Sequence, residues 1–187
     1  RGPGVSYFFE AFGTLILFLD VRSFLNKSAR VLLGTEQFHW ALETLESVQK
    51  PTLLISALQF WNYRKFAENY QGIAQDEFSR LLRALRGRAF PTFFVSGDVH
   101  YSQVQSIPED VLGFRTYEVS SSAMFSLSSR FLGKRSEEEG QLHYYGGPNF
   151  LVLNQLLVTS SELGMKVRCL SERSDREFEF DLRVATS

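Results

Sequence analysis

The spacing of apolar residues changes along this chain, and the changes mark its elements. Leu15-Ile16-Leu17-Phe18-Leu19 is an unbroken apolar run, of a length that suits a strand buried on both faces. The pattern predicts strands over Ser6–Phe12 and Thr14–Leu19, joined near Gly13. Beyond Gly34 the period becomes helical. Phe38, Ala41, Leu42 and Leu45 fall at i, i+3, i+4 and i+7, one apolar stripe for a sheet to cover. Thr35 is the expected N-cap, and Glu36 follows in the first turn, where the helix dipole favours it. Pro51 closes this region and Thr52–Ser56 reads as a buried strand. Phe78, Leu81, Leu82 and Leu85 then repeat the helical stripe up to Gly87, and Phe93-Phe94-Val95 is a third buried strand. Strand, helix, strand, helix, strand predicts an α/β layout with at least a partly parallel sheet.

After His100 the helical stripes give way to strands. They are predicted over Phe114–Val119, Asn149–Val158, Met165–Leu170 and Glu177–Val184, the last with Phe178, Phe180, Leu182 and Val184 on one face. Lys134-Arg-Ser-Glu-Glu-Glu139 reads as a solvated loop. These closing strands point to a second sheet packed on the first. No repeat or linker divides the chain, so residues 1–187 form part of one domain.

Composition narrows the function classes. With 187 residues, 44% of them hydrophobic, and 18 Phe, the chain supports one large core. A net charge of −1 offers no electrostatic case for nucleic acid or a membrane surface as partner. The single cysteine, Cys169, excludes an intrachain disulfide and a multi-cysteine zinc site. No apolar run approaches the ~18 residues of a membrane span. The chain opens on Arg1-Gly-Pro-Gly4, and the expectation is the carboxyl-terminal portion of a longer domain. Localisation and oligomeric state are not legible.

The candidate chemistry sits where predicted strands end. Leu19-Asp20-Val21-Arg22, Ser56-Ala57-Leu58-Gln59 and Ser96-Gly97-Asp98-Val99-His100 each follow an apolar run. In open α/β sheets ligands bind outside the carboxyl ends of the strands. Were these strands parallel neighbours, Asp20, Gln59, Asp98 and His100 would converge, with Arg22 at the rim. A carboxylate and an imidazole can hold a cation, which acidifies bound water, and a guanidinium fork matches two phosphoryl oxygens. Other polar groups have plainer readings. Asp20 and Arg22 could form a structural ion pair, Gln59 a hydrogen-bonded scaffold and His39 an exposed helix position. His143 lies in a Gly-rich aromatic loop and is not expected to be a ligand. Ser120, Ser121 and Ser122 lack a Gly-x-Ser-x-Gly elbow and read as loop hydrogen-bonding groups. Asn149 is expected to fix a turn, and Cys169 to be buried.

Several segments together resemble the PhoD-like metallophosphatases. Ile16-Leu-Phe-Leu-Asp20-Val-Arg22-Ser-Phe24 is similar to that family's strand ending in Asp-x-Arg. Leu32-Leu-Gly34-Thr-Glu-Gln37-Phe-His-Trp40 is similar to its Leu-Gly-x-x-Gln-x-x-Trp helix start. Ser96-Gly-Asp98-Val-His100-Tyr101, Tyr117-Glu118-Val-Ser-Ser121-Ser122 and Gly146-Gly147-Pro148-Asn149-Phe150 resemble three later family segments in the right order. The resemblance implies a metallophosphoesterase-type sandwich of two sheets flanked by helices, incomplete at its amino-terminal side. It implies hydrolysis of phosphate mono- or diesters of small molecules, using divalent or trivalent ions: calcium, iron, manganese or zinc. Asp98 and His100 would be metal ligands, and Asp20 and Arg22 active-site residues near metal or phosphate. The family's Trp-Asp-Asp-His-Glu type segment is not in these residues, and Leu25 stands where many members carry a second Arg. The rival expectation is therefore a non-catalytic interaction domain of the same fold that has lost its metal centre.

Overall fold

The computed structural model describes residues 1–61, 68–88, 90–121, 140–172 and 177–186. The Lys134–Glu139 insert and Ser122 lie outside them. Along the chain run β1 (Tyr7–Ala11), β2 (Thr14–Leu19), α1 (Gly34–Ser47), β3 (Thr52–Ser56), α2 (Tyr70–Ile73), α3 (Gln75–Arg88) and β4 (Thr92–Ser96). Then come β5 (Ser102–Ile107), α4 (Glu109–Leu112), β6 (Thr116–Ser120), β7 (Gln141–Tyr145), β8 (Asn149–Val158), β9 (Glu162–Ser171) and β10 (Phe178–Ala185). A seven-stranded sheet has the order β1-β2-β3-β4-β6-β5-β7, and a three-stranded sheet the order β10-β9-β8. β2, β3, β4 and β6 are mutually parallel, whereas β1 and β5 run against their neighbours.

The parallel block follows from its sequence. β2 and β3 carry side chains that must be covered on both faces, and the α1 and α3 segments return the chain to start each new strand alongside the last. Phe38, Ala41 and Leu45 of α1 and Phe78, Leu81 and Leu85 of α3 are buried, as their spacing predicts. Phe94 points to the helical side, where its ring meets Phe60 and Trp61, and Trp61 meets Phe78 edge-on. Phe93, one residue earlier, points to the opposite face and stacks on Tyr117. On that face the smaller sheet is tied to β5 by the Ser102 hydroxyl and Asn149 side chain. Leu163, Met165, Val167, Leu182 and Val184 of the smaller sheet belong to the same core.

Three expectations need correction. Thr35 does not cap α1: the helix begins at Gly34, Leu33 holds the cap position, and no side chain closes it. Gly34 takes φ +73° directly against the Phe24 ring, a conformation open to glycine at little cost, and the Leu33 N–H goes to Glu77 on α3 (3.1 Å). Thr116–Ser120 is not part of the closing sheet but the parallel neighbour of β4. Finally β5 and β7 carry no predicted strand. Their residues, Ser-Gln-Val-Gln-Ser-Ile and Gln-Leu-His-Tyr-Tyr, are too polar for an apolar-pattern argument to find.

Candidate functional site

Register places the strand ends side by side. Leu19 pairs with Ser56, Ile55 with Val95, and Ser96 with Ser120. Asp20, Ala57, Gly97 and Ser121 therefore all leave the sheet along one edge, as the convergence argument requires.

Asp20 is buried at this edge. Its Oδ1 accepts the backbone N–H of Arg22 and of Ser23, each at 3.0 Å, and Oδ2 accepts the N–H of Val5 at 3.0 Å. Burial alone would raise its pKa, but the Ser23 hydroxyl and these backbone donors outweigh burial and bring it down to about 2. The Gln37 side chain fixes the backbone of the same residue. Gln37 Oε1 accepts the Asp20 N–H (2.7 Å), and Gln37 Nε2 donates to Asp20 O (2.9 Å) and Leu33 O (3.1 Å). An α1 side chain thus extends the β2 hydrogen-bond ladder by one residue. The carboxylate acts as the nucleus of a turn, and that turn presents Arg22.

Asp98 and His100 sit in the Gly97–Tyr101 connection, both exposed. This link joins β4 to β5 although β6 lies between them, so five residues cross two strand spacings, about 10 Å. The crossing hugs the end of β6, where the Ser121 N–H donates to Ser96 O (3.0 Å). Asp98 and His100 take φ values of +61° and +58°, a region that non-glycine residues occupy only when their surroundings hold them there.

Arg22 joins the two strand ends. Its guanidinium pairs with the Asp98 carboxylate through one nitrogen and with Glu68 Oε2 (3.1 Å) through the other. Lys27 also pairs with Glu68, and these two cations hold the Glu68 carboxyl below the usual range. The groups are 40–61% exposed, so each pair contributes little to stability in water. Their position is the informative part: Arg22 spans from β2 to the loop after β4.

Beneath this edge lies a layer of buried polar side chains. Gln59 Nε2 donates to Ser120 Oγ (2.9 Å), and the Tyr101 hydroxyl donates to Gln59 Oε1 (2.9 Å). Ser96 Oγ bonds Ser120 Oγ and Glu118 Oε1, both at 2.7 Å. Glu118, fully buried, also accepts the N–H groups of Phe60 (2.8 Å) and Trp61 (3.4 Å). Gln59 is a scaffold residue, as its sequence reading holds. Glu118, Glu68 and Tyr101 carry roles that pattern reasoning misses. A charged residue at an inward strand position is the one signal that marks Glu118 beforehand.

The chain's fold has a known counterpart. A solved structure of PhoD superimposes on 94% of this chain with a TM-score of 0.65 and 12% sequence identity. The folds are alike. The chain spans 44% of the length of that structure. No protein-family description matches the sequence, and no curated protein matches it.

The metal centre that the sequence resemblance implies would need four to six donors per ion. Among the described residues no three of His, Cys, Asp and Glu gather closely enough to hold an ion. The Asp20 oxygens are occupied by N–H groups, and Asp98 already faces a guanidinium. The described residues do not by themselves complete a metal centre.

His143 lies elsewhere, on β7 against Phe178 and Phe180 of the smaller sheet. Its Nε2 is buried without a hydrogen-bond partner, and burial pushes the imidazole down to about 4. A folded-state pKa below the ordinary 6.5 means stability is complete above pH 6.5 and declines as pH falls toward 4. The wild type should lose on the order of 3 kcal/mol in urea titrations across that window. His143→Phe should flatten the decline, and an unchanged slope would contradict the burial argument. Among the described residues no helix is long and apolar enough to cross a membrane.

Proposed function

We propose that this chain is a metallophosphoesterase-type domain that binds and hydrolyses phosphate mono- or diesters of small molecules at the edge carrying Asp20, Arg22, Asp98 and His100. The observation that supports this most is the Arg22 guanidinium, held between the Asp98 carboxylate after β4 and the Glu68 carboxylate ahead of α2 in a fold like that of PhoD. A guanidinium there can exchange carboxylate oxygens for two phosphoryl oxygens of the same geometry. Asp20 holds the turn that aims it. Asp98 and His100 are the candidate ligands for calcium, manganese, iron or zinc, and donors outside the described residues would have to complete the set.

The test is hydrolysis of aryl phosphate mono- and diesters with each of these ions added, by wild type, Asp98→Asn and Arg22→Ala. Wild-type turnover with losses of about 100-fold or more in both variants supports the proposal. A specific observation favours the rival, a non-catalytic binding domain: Asp98 already has a counter-ion in Arg22. Absence of turnover with every ion, with phosphate still bound and binding lost in Arg22→Ala, would establish that rival instead.

A further inference from the structure

The Gly97–Tyr101 loop combines two left-handed residues with one buried side chain. Asp98 and His100 are exposed and conformationally unfavourable, and local sequence offers no glycine at either position. Tyr101, only 4% exposed, is the next residue. Its ring packs against Tyr144 (centroids 5.0 Å apart) and its hydroxyl donates to Gln59 Oε1 (2.9 Å). Gln59 is itself held: its amide donates to Ser120 (2.9 Å), and the backbone immediately after it is gripped by Glu118. Glu118 and Ser120 belong to β6, the strand that the loop must cross. The strained segment is thus anchored from below to the rigid centre of the sheet.

We propose that Tyr101 is a positioning residue, whose hydroxyl bond to Gln59 clamps the left-handed loop and so presents Asp98 to Arg22 and His100 to the same edge. The clamp itself is a statement about loop order. Its consequence for turnover rests on the phosphoesterase reading above. Without the hydroxyl, the ring still fills its place against Tyr144, but the loop loses the polar bond that fixes its height over β6. The two residues at positive φ then relax toward ordinary backbone regions, and the carboxylate leaves its place opposite the guanidinium.

The test separates loop order from catalysis. Backbone 15N relaxation should give order parameters near 0.85 at residues 98–100 in the wild type and below about 0.6 in Tyr101→Phe, with β4 unchanged. Gln59→Leu removes the same bond from its other end, together with the amide's bond to Ser120, and should loosen the same residues. In the unmodified protein the Tyr101 hydroxyl proton should give a slowly exchanging resonance with a cross-peak to the Gln59 side chain, a measurement that needs no variant to fold. Unchanged order in Tyr101→Phe, or no such resonance in the wild type, overturns the clamp. If the protein turns over aryl phosphates, Tyr101→Phe should lower kcat about tenfold or more with KM within about twofold, because misplaced groups cost rate before they cost binding. Equal kcat in the two proteins would also overturn the positioning role. A wild-type loop that is ordered and loosens in Tyr101→Phe, in a protein without turnover, would uphold the clamp and count only against the hydrolase reading.

Discussion

Glu118→Ala should lower the unfolding free energy by about 4 kcal/mol, the largest single loss expected at this edge. The carboxylate is fully buried and accepts from Ser96 Oγ, Phe60 N–H and Trp61 N–H. Truncation leaves the Phe60 and Trp61 N–H groups facing a cavity in the layer between β4, β6 and the segment after β3, while the Ser96 hydroxyl keeps Ser120 as a partner. A buried donor without an acceptor costs about 1–3 kcal/mol, and water entering the cavity recovers part of the sum. For a chain of this length the loss corresponds to about 10 °C in Tm. Glu118→Gln keeps one carbonyl oxygen for Phe60 and Ser96 but turns an amide toward the Trp61 N–H, so its cost should be near 1 kcal/mol. Urea unfolding of both variants checks the ordering. Equal stability of the alanine variant and wild type would mean that Glu118 is solvated.

Asp20→Asn should cost about 2 kcal/mol at neutral pH and almost nothing near pH 2. The folded-state pKa of about 2 lies below the ordinary 3.8, so the ionised carboxylate stabilises the fold. That contribution is complete above about pH 4 and lost as pH falls toward 2. The asparagine variant offers one acceptor oxygen where the wild type offers two, leaving one side of the Val5, Arg22 and Ser23 donor set unmatched. Stability measured against pH should therefore converge for the two proteins at the acid end. A constant gap from pH 7 to pH 2 would show that the loss is steric. Gly4 makes the steric case worth separating, since a methyl group at that position would run into the Asp20 carboxylate. If Arg22 binds phosphate as proposed, the same substitution should also weaken that binding, because the Arg22 N–H is bonded to Asp20.

The parts of the site differ in how visible they were beforehand. Asp20, Arg22, Asp98 and His100 follow apolar runs long enough to be strands, so their place at strand ends could be read from the order of residues. That β2, β3 and β4 are parallel neighbours was conditional at that level and holds in the fold. Partnership was not legible. The Asp20 bonds to Arg22 and Ser23 are local turn contacts, but nothing local tells Asp20 to bond Val5, or tells Arg22 to choose Asp98 and Glu68. Those partners lie 46 and 76 residues from Arg22 along the chain. The same distance hid the clamp, because Tyr101, Gln59 and Glu118 come from three separate segments. β5 escaped notice for a related reason: Gln103 and Gln105 are buried but polar, and the Gln103 amide finds its partners in Gln105 on the same strand and in Gln59 from the segment after β3.

Sequence alone determined the alternation of apolar strands and amphipathic helices, the single core, and the polar residues stationed where strands stop. These are consequences of short-range spacing and of covering hydrophobic surface, which any chain with this pattern must satisfy. Tertiary structure decided which charges meet, which carboxylate is consumed by backbone donors, and which strand the Asp98 loop has to cross. Those outcomes depend on register between segments far apart in the chain, and hydrogen bonds and ion pairs act only over a few ångströms once that register is set.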